Sequence, residues 1–153
     1  MKATTITLAG ALAAFAGLAT AQDIGMKEHA GLRIACGGAG AEERAALEAL
    51  RPQANIELLF VTARRGGYLA DVELAVYAAD KQSPVLRLTA EGPICMISAP
   101  AAKYRIEASY GGVKRSQQFA ADARHSRIVF GFPEEPWDGI KASDEEKSSA
   151  RKN

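Results

Sequence analysis

Short runs of alternating apolar and polar residues, separated by turn signals, occupy the chain from Ile56 to Phe132 and restrict its fold most strongly. Residues 70–78 are the clearest run, because Val72, Leu74 and Val76 point to one side of a strand and acidic residues to the other. About seven such strands follow one another at the spacing typical of all-β domains. The pattern predicts a mainly β fold, a seven-stranded Greek-key antiparallel β-sandwich.

One segment in front of these strands is helical. Residues 41–51 are rich in Ala, Glu, Leu and Arg, which are strong helix formers, and Pro52 stands just past the natural end. The preceding residues 36–40 form a glycine-rich turn that lacks the lysine and the spacing of a phosphate-binding loop. A chain of 153 residues allows one domain. We predict that it spans residues 32–132, with the helix leading the sandwich.

The first 21 residues have the pattern of a secretory signal peptide. Lys2 supplies the positive charge, residues 6–18 are apolar, and Ala19-Thr20-Ala21 provides the small residues that precede cleavage before Gln22. The apolar run is shorter than the roughly 20 residues that a membrane-spanning helix needs. We therefore expect a periplasmic protein, secreted through the inner membrane, with no stable membrane span after cleavage.

Two segments outside the sandwich are polar and mixed in charge. Residues 22–31 are interpreted as a flexible lead-in, and residues 133–153 as a mostly disordered tail. Trp137 and Ile140 are the only large apolar residues of that tail, and docking of Trp137 on the sandwich is the alternative interpretation.

The chain has two cysteines, Cys36 and Cys95. In an oxidising compartment they are a candidate disulfide pair, which would close a long loop. Cys36 falls in the turn before the helix and Cys95 near the start of a strand, so a bridge would tie the helical segment to the sandwich. The alternative is two separate buried thiols that pack as small apolar side chains.

Composition and charge argue against several classes of function. Nineteen Lys and Arg residues against eighteen Asp and Glu leave a net charge of +1, which does not indicate a nucleic-acid partner. Two histidines and two cysteines show no zinc-ligand spacing. His29 lies in the lead-in and His125 in a loop, and neither has a recognisable nucleophile partner. We predict no catalytic residues, no metal and no cofactor, and therefore a protein that is not an enzyme.

One loop has the composition of a ligand-binding element. Arg64 and Arg65 are adjacent, and Gly66, Gly67 and Tyr68 follow them. A basic loop with an aromatic residue at the end of a sandwich is a candidate site for an acidic or sugar ligand. The alternative is an ordinary exposed hairpin loop.

The stretch from Gly67 to Phe132 resembles the carboxypeptidase regulatory-like domain, a transthyretin-like (prealbumin-like) sandwich. The resemblance lies in GYLADVELAVYAADKQSPVL, the turn EGPICMISAP and the segment KYRIEASYGGVKRSQQF. The upstream residues resemble small exported proteobacterial proteins that carry this domain alone. The resemblance implies a prealbumin-like fold without catalytic machinery, because the zinc ligands of the metallocarboxypeptidases have no counterpart here. Residues 81–83 and 101–103 depart from the glycine-containing turns of the family.

Together these features predict an exported, non-enzymatic binding domain of the cell envelope. Its partner would be a periplasmic protein or a cell-envelope component. The alternative hypothesis is a carbohydrate-binding module, which requires exposed aromatic side chains. The candidates for that role are Tyr68, Tyr77, Tyr110 and Trp137.

Export is expected to remove residues 1–21, because the Ala19-Thr20-Ala21 site follows a signal-like apolar run. The intact mass of the protein recovered from the periplasm measures this directly. It should match a chain that begins at Gln22. A mass that includes Met1 would contradict the prediction.

Overall fold

A computed structural model describes residues 24–134, in which nine strands form two sheets. The predicted signal peptide, its cleavage site between Ala21 and Gln22, and the predicted tail after Glu134 lie outside the described residues. The elements in chain order are β1 (Lys27–His29), β2 (Leu32–Gly37), α1 (Ala41–Leu50), a 3₁₀ turn (Arg51–Gln53), β3 (Ile56–Thr62), β4 (Val72–Ala78), β5 (Leu86–Ala90), β6 (Ile94–Ser98), β7 (Ala102–Tyr110), β8 (Val113–Ala121) and β9 (Ser126–Phe132).

The two sheets pack face to face around one apolar core. The five-stranded sheet has the order β1-β2-β6-β3-β9, and the four-stranded sheet has the order β5-β4-β7-β8. The predicted hairpin at Gly111-Gly112 joins β7 to β8, and both glycines have positive φ, 55° and 76°, as a tight hairpin turn requires. The prediction of a mainly β, two-sheet fold with one short helix is confirmed.

The strand count and the lead-in differ from the prediction. Nine strands are present among the described residues, where about seven were predicted. The additional strand β1 lies in the supposed flexible lead-in and pairs with β2 through a turn at Ala30 and Gly31. Both turn residues have positive φ, 51° and 81°. Gly31 is a common turn residue, but alanine rarely adopts that conformation, so the pair Ala30-Gly31 was not recognised as a hairpin turn.

One strand pair is parallel, although an entirely antiparallel sandwich was predicted. β3 and β9 run side by side in the same direction, with Leu58 opposite Ile128 and Phe60 opposite Phe130. The rings of Phe60 and Phe130 stack at 6.0 Å between centroids. Between β3 and β9 the chain changes sheets repeatedly: β4 and β5 lie in the four-stranded sheet, β6 in the five-stranded sheet, and β7 and β8 in the four-stranded sheet again.

The inward-facing rows follow the predicted alternation. Val72, Leu74 and Val76 of β4 are buried, whereas Glu73 between them is exposed. Ile128, Phe130 and Phe132 of β9 also face the core, as the sequence indicated. The largest fully buried side chains of this core come from both sheets: Leu32, Ile56, Leu58, Phe60, Val72, Val76, Ile97, Ile106, Phe130 and Phe132.

Helix α1 covers the outer face of the five-stranded sheet. Leu47 is fully buried against Ala35 of β2, Met96 of β6 and Ala54, which make a second, smaller core. At the start of the helix, the Glu43 carboxylate accepts hydrogen bonds from the backbone N–H groups of residues 38 and 39, at 2.9 and 3.0 Å. These bonds and the buried face hold a ten-residue helix that would be marginal alone.

Cys36 and Cys95 form a disulfide, which confirms the predicted pairing but not its predicted location. Cys36 lies in β2 rather than in the turn before the helix, directly opposite Cys95 in β6, and the two Cα atoms are 4.1 Å apart. The bridge therefore links two neighbouring strands of one sheet and does not tie the helix to the sandwich. Cys95 is fully buried and Cys36 half-buried.

Side chains from the opposite sheet cover the free edge of β9. Arg115 donates to the carbonyl of Gly131 at 3.3 Å, and Gln117 donates to that of Val129 at 3.1 Å. These bonds use edge carbonyls that would otherwise be available for pairing with another strand. Within residues 24–134, no helix has the length and apolar character needed to cross a membrane.

Replacing both cysteines by alanine is expected to lower the free energy of unfolding by roughly 4 kcal/mol, because the bridge closes a long loop in the unfolded chain. The loop separation is 59 residues. Denaturant unfolding of parent and double variant measures the difference, and a reductant should destabilise only the parent. Two reactive thiols in the denatured, unreduced parent would contradict the bridge.

Candidate interaction surface

The predicted ligand loop is a tight turn at one end of the five-stranded sheet. Arg64 and Arg65 are exposed in the turn after β3. Thr62 closes the turn: its carbonyl accepts from the Gly66 N–H at 3.0 Å, and its hydroxyl accepts from the Gly67 N–H at 2.9 Å. The chain therefore reverses direction and runs antiparallel beside β3, and hydrogen bonds to Thr62 fix the turn.

Tyr68, the aromatic residue of that loop, forms an isolated antiparallel bridge with Val61 of β3. Tyr68 lies on the same side of β3 as β6. The pairing of β6 with β3 covers residues 56–59, and Tyr68 pairs beyond its end. Its neighbour Leu69 is buried in the core, so Tyr68 faces outward and is 61% exposed. The loop therefore adds an aromatic side chain to the outer face of the sheet.

A second exposed apolar side chain lies on the same face. Val129 of β9 is 45% exposed and, with Tyr68, is one of the two large hydrophobic residues exposed in the described part of the chain. Residues 57, 59 and 61 of β3 face outward, because residues 56, 58 and 60 are buried in the core. The register places Val129 beside residue 59.

We call this surface the apolar patch. Its floor is half-buried, and its two ends are the exposed Tyr68 and Val129. Tyr68, Val61 and Gly131 form one row across neighbouring strands. Gly131 adds no side chain to this row, and a Cβ atom at that position would be in contact with Ala63 Cβ at 3.7 Å. The residues of the patch are Leu59, Val61, Tyr68, Val129 and Gly131.

A buried carboxylate lies next to the patch. Glu57 of β3 is 2% exposed and is the one charged residue buried among residues 24–134. Arg127, its partner in register on β9, donates to Glu57 Oε1 through Nε at 2.8 Å and also through Nη2. Arg51, from the turn after α1, approaches Glu57 Oε2 at 4.0 Å. The Glu57 carboxylate therefore forms ion pairs with two guanidinium groups, those of Arg127 and Arg51.

His125 completes this cluster from the loop before β9. Its Nε2 lies 3.2 Å from Glu57 Oε2, and its Nδ1 lies 3.1 Å from the Ala54 carbonyl oxygen. Both ring nitrogens therefore contact groups of the protein. The contacts give His125 the structural role of fastening its loop to β3.

The charges in the cluster favour the ionised forms of Glu57 and Arg127. Burial, the largest single influence, raises the pKa of Glu57, but hydrogen bonds from Arg127 and His125 and the charges of Arg127 and Arg51 together bring it below its ordinary value. The hydrogen bond and charge of Glu57 raise the pKa of Arg127, with smaller contributions from Tyr68 and Glu48. Arg127 is thus a fixed cation at the border of the patch.

Arginine side chains border the apolar patch at both ends. Arg127 and Arg51 lie towards the helix and are 54% and 43% exposed. Arg64 and Arg65 lie in the turn at the other end. Glu48 pairs with Arg51 at 3.1 Å, and Glu134 contacts Arg65 at 3.7 Å, yet these arginines keep much of their surface in solvent.

A cleft of about 610 Å³ lies elsewhere, between the edges formed by β1–β2 and β5. Ile34, Leu88 and Cys36 line its apolar part, and Ile34 itself is buried in the core. Its charged lining mixes both signs: Lys27 and His29 on one side, Glu43 and Glu91 on another. Glu43 is already occupied in capping the helix.

The structure places the predicted site residues in two separate regions. Tyr68 joins the apolar patch, Arg64 and Arg65 lie at its border, and Cys36 and Cys95 form the disulfide within the sheet. Sequence reasoning did not identify Glu57 or Val129. Glu57 could have been noticed as the one acidic residue within the apolar run IELLFVT. The sequence around Val129 gave no indication that this residue lies near Tyr68. In the described part of the chain, no group of three or more His, Cys, Asp or Glu side chains is arranged to hold a metal ion.

Comparison with known proteins adds no family. The chain matches no protein-family model, and a search of curated proteins gives no significant match.

Replacing Glu57 with Gln is expected to lower the free energy of unfolding by about 1.5–3 kcal/mol at neutral pH, because Arg127 and His125 lose a charged acceptor. The pKa of Glu57 is depressed in the folded protein. Its stabilisation is therefore fully present above the ordinary glutamate pKa of about 4.3 and is lost as pH falls through the lower folded value.

Denaturant titrations of parent and Glu57→Gln over a pH series from neutral to acid measure this effect. The gap between the two proteins should close as the solution becomes acid. Glu73→Gln, at an exposed position of β4, is the control and should show a small gap throughout. A Glu57→Gln gap that stays constant or widens in acid would contradict the assignment.

Proposed function

We propose that the protein is an exported, non-enzymatic binding domain of the cell envelope that engages a partner protein through the apolar patch. The observation that carries the proposal is the placement of Tyr68 and Val129, two exposed apolar side chains from distant parts of the sequence, on one sheet face beside a fixed arginine. Tyrosine and arginine are enriched among the residues that contribute most to protein–protein affinity.

The side chain of Arg127 is held in a fixed position that favours contact with a partner protein. Two hydrogen bonds to Glu57 already restrict its side chain, so contact with a partner costs little further conformational entropy. More than half of the side chain remains exposed beside Val129. A partner that fits this surface has an apolar centre with carboxylates around it, to match the arginines at both ends of the patch.

The disulfide supports the exported part of the proposal. Disulfides persist in oxidising compartments such as the periplasm and are rare in the cytosol. The bridge between Cys36 and Cys95 is compatible with the signal-like sequence that ends at Ala21. The non-enzymatic, prealbumin-like part rests on the resemblance of the stretch from Gly67 to Phe132 to carboxypeptidase regulatory-like domains, and a two-sheet β fold is compatible with it.

The carbohydrate-binding alternative receives less support. Sugar recognition by a sandwich would use neighbouring exposed aromatic rings, and Tyr68 is the exposed one among the described candidates. Tyr77 is 6% exposed and lies under the Arg105 guanidinium, whose central carbon is 3.9 Å from the ring centroid. Tyr110 packs against Phe132, with 5.8 Å between ring centroids. Trp137 lies outside the described residues.

A photo-crosslinking amino acid introduced at Val129 is expected to form a specific adduct in living cells, because Val129 is one of the two exposed apolar side chains of the proposed interface. The same group at Gln118, an exposed residue of β8 in the other sheet, is the matched control. Tyr68→Ala should remove the Val129 adduct, and raised salt should weaken it, since arginines contribute to the contact.

Two results would contradict the proposed function. The first is the same set of adducts at Val129 and Gln118. The second is a Val129 adduct that Tyr68→Ala leaves unchanged in a correctly folded protein, as judged by circular dichroism. Either result would place the binding surface elsewhere on the molecule.

A further inference from the structure

Along the side formed by β1 and β5, the two sheets leave part of the apolar interior open. Cys36 and Leu88 occupy inward-facing positions of β2 and β5, and in each strand the residue two positions earlier is buried in the core. Cys36 and Leu88 themselves are only half-buried. Apolar surface from the inside of the sandwich therefore forms the base of the cleft of about 610 Å³.

The cleft has the size and the fixed base of a small-molecule site. Pockets that hold small ligands enclose roughly 300–1,000 Å³ and combine an apolar lining with a few polar groups. The disulfide to Cys95 anchors Cys36 to the neighbouring strand β6, so the base is in place before a ligand arrives. A preformed base reduces the entropy that binding costs.

Two basic side chains of β1 lie at one end of the cleft. The register places Lys27 opposite Ile34 and His29 opposite Leu32. Paired residues of neighbouring strands share a face of the sheet, and both partners in β2 are buried in the core. Lys27 and His29 are therefore on the inner side of β1, where they are exposed and line the cleft. Neither forms an ion pair within residues 24–134.

An acidic side chain lies at the other end. Glu91 is exposed in the turn between β5 and β6 and has no ion pair among the described residues. The next residue, Gly92, packs on the backbone of Gly37 so closely that no Cβ atom would fit. This contact fixes the turn at Gly37, three residues along β2 from Ile34. At about 3.3 Å per residue, the basic and acidic ends are roughly 10 Å apart along the strand.

The separation of the charges identifies the class of ligand. A free amino acid is too short, because a single carbon atom separates its ammonium and carboxylate groups. A fatty acid would match the apolar base but would leave the acidic end without a partner. An extended peptide of about three residues spans roughly 10 Å and carries opposite charges at its two ends. Opposite charges at matching distances favour that ligand and fix its direction.

We propose that this cleft binds a short apolar peptide with free termini, of about three residues. The peptide carboxylate contacts Lys27 and His29, and its ammonium group contacts Glu91. An apolar side chain of the peptide packs on Cys36 and Leu88. The cleft lies on the β1–β5 side of the molecule and shares no residue with the apolar patch, so this binding activity is independent of the proposed partner protein.

Titration of the isotope-labelled full-length protein with the tripeptide Ala-Leu-Ala, followed by NMR, tests the proposal. The backbone amide signals of Cys36 and Leu88 should shift and saturate. Acetylation of the peptide's N-terminus and amidation of its C-terminus should each weaken binding about tenfold, because each removes a charged hydrogen-bonding group. Triglycine has the same charges but no apolar side chain, and it should also bind about tenfold more weakly.

Substitutions at the two ends assign the direction of the peptide. Lys27→Gln should weaken binding of Ala-Leu-Ala about tenfold and leave binding of its C-terminal amide unchanged, since the amide lacks the charge that Lys27 recognises. Glu91→Gln should behave in the same way towards the N-acetylated peptide. Glu28→Gln, on the opposite face of β1, and Lys81→Gln, in the exposed turn after β4, are the matched controls and should bind like the parent.

Four outcomes would overturn the proposal. The first is the absence of saturable shifts at Cys36 and Leu88 with millimolar peptide. The second is equal binding of the free, acetylated and amidated peptides, because the charged ends would then have no role. The third is a Lys27→Gln variant that binds the free peptide and its amide equally weakly. The fourth is a set of shifts confined to Tyr68 and Val129, which would place the peptide on the apolar patch.

Discussion

The carboxylate of Glu57 holds together three parts of the chain that are distant in sequence. Arg127 connects it to the edge strand β9, His125 to the preceding loop, and Arg51 to the end of the helix. A carboxylate buried on a sheet face is costly unless donors surround it, and here they do. The position of Arg127 beside the apolar patch depends directly on this cluster, and so does the geometry of the proposed interface.

The outer faces of the two sheets differ in the polarity of their exposed side chains. On the four-stranded sheet, Arg105 lies over the ring of Tyr77, and Glu107 accepts from Tyr77 and pairs with Arg105 and Lys114. That network leaves no large apolar side chain exposed on the described part of the face. On the five-stranded sheet, helix α1 covers one half and the apolar patch forms the other. Exposed apolar surface is therefore confined to one place, as expected of a binding surface.

Much of the local structure could be predicted from the sequence, whereas the candidate site could not. The faces of β4, the hairpin at Gly111-Gly112 and the helix depend on nearby residues and were identified correctly. The strand at Lys27–His29 was missed because its turn uses an alanine with positive φ. Tyr68 was singled out from its loop, but its neighbour Val129 is 61 positions away, and only strand pairing brings the two together.

By itself, the sequence determined which residues face inward in β4, β7 and β9, because a strand's period of two is a property of the local backbone. It also supplied the two cysteines whose pairing an oxidising compartment would favour. Only the tertiary structure decided that β9 lies parallel to β3, that the disulfide joins two strands rather than helix and sheet, and that Glu57 is buried under arginines. These features depend on which strands become neighbours, and that choice minimises the free energy of the whole core rather than of any one segment.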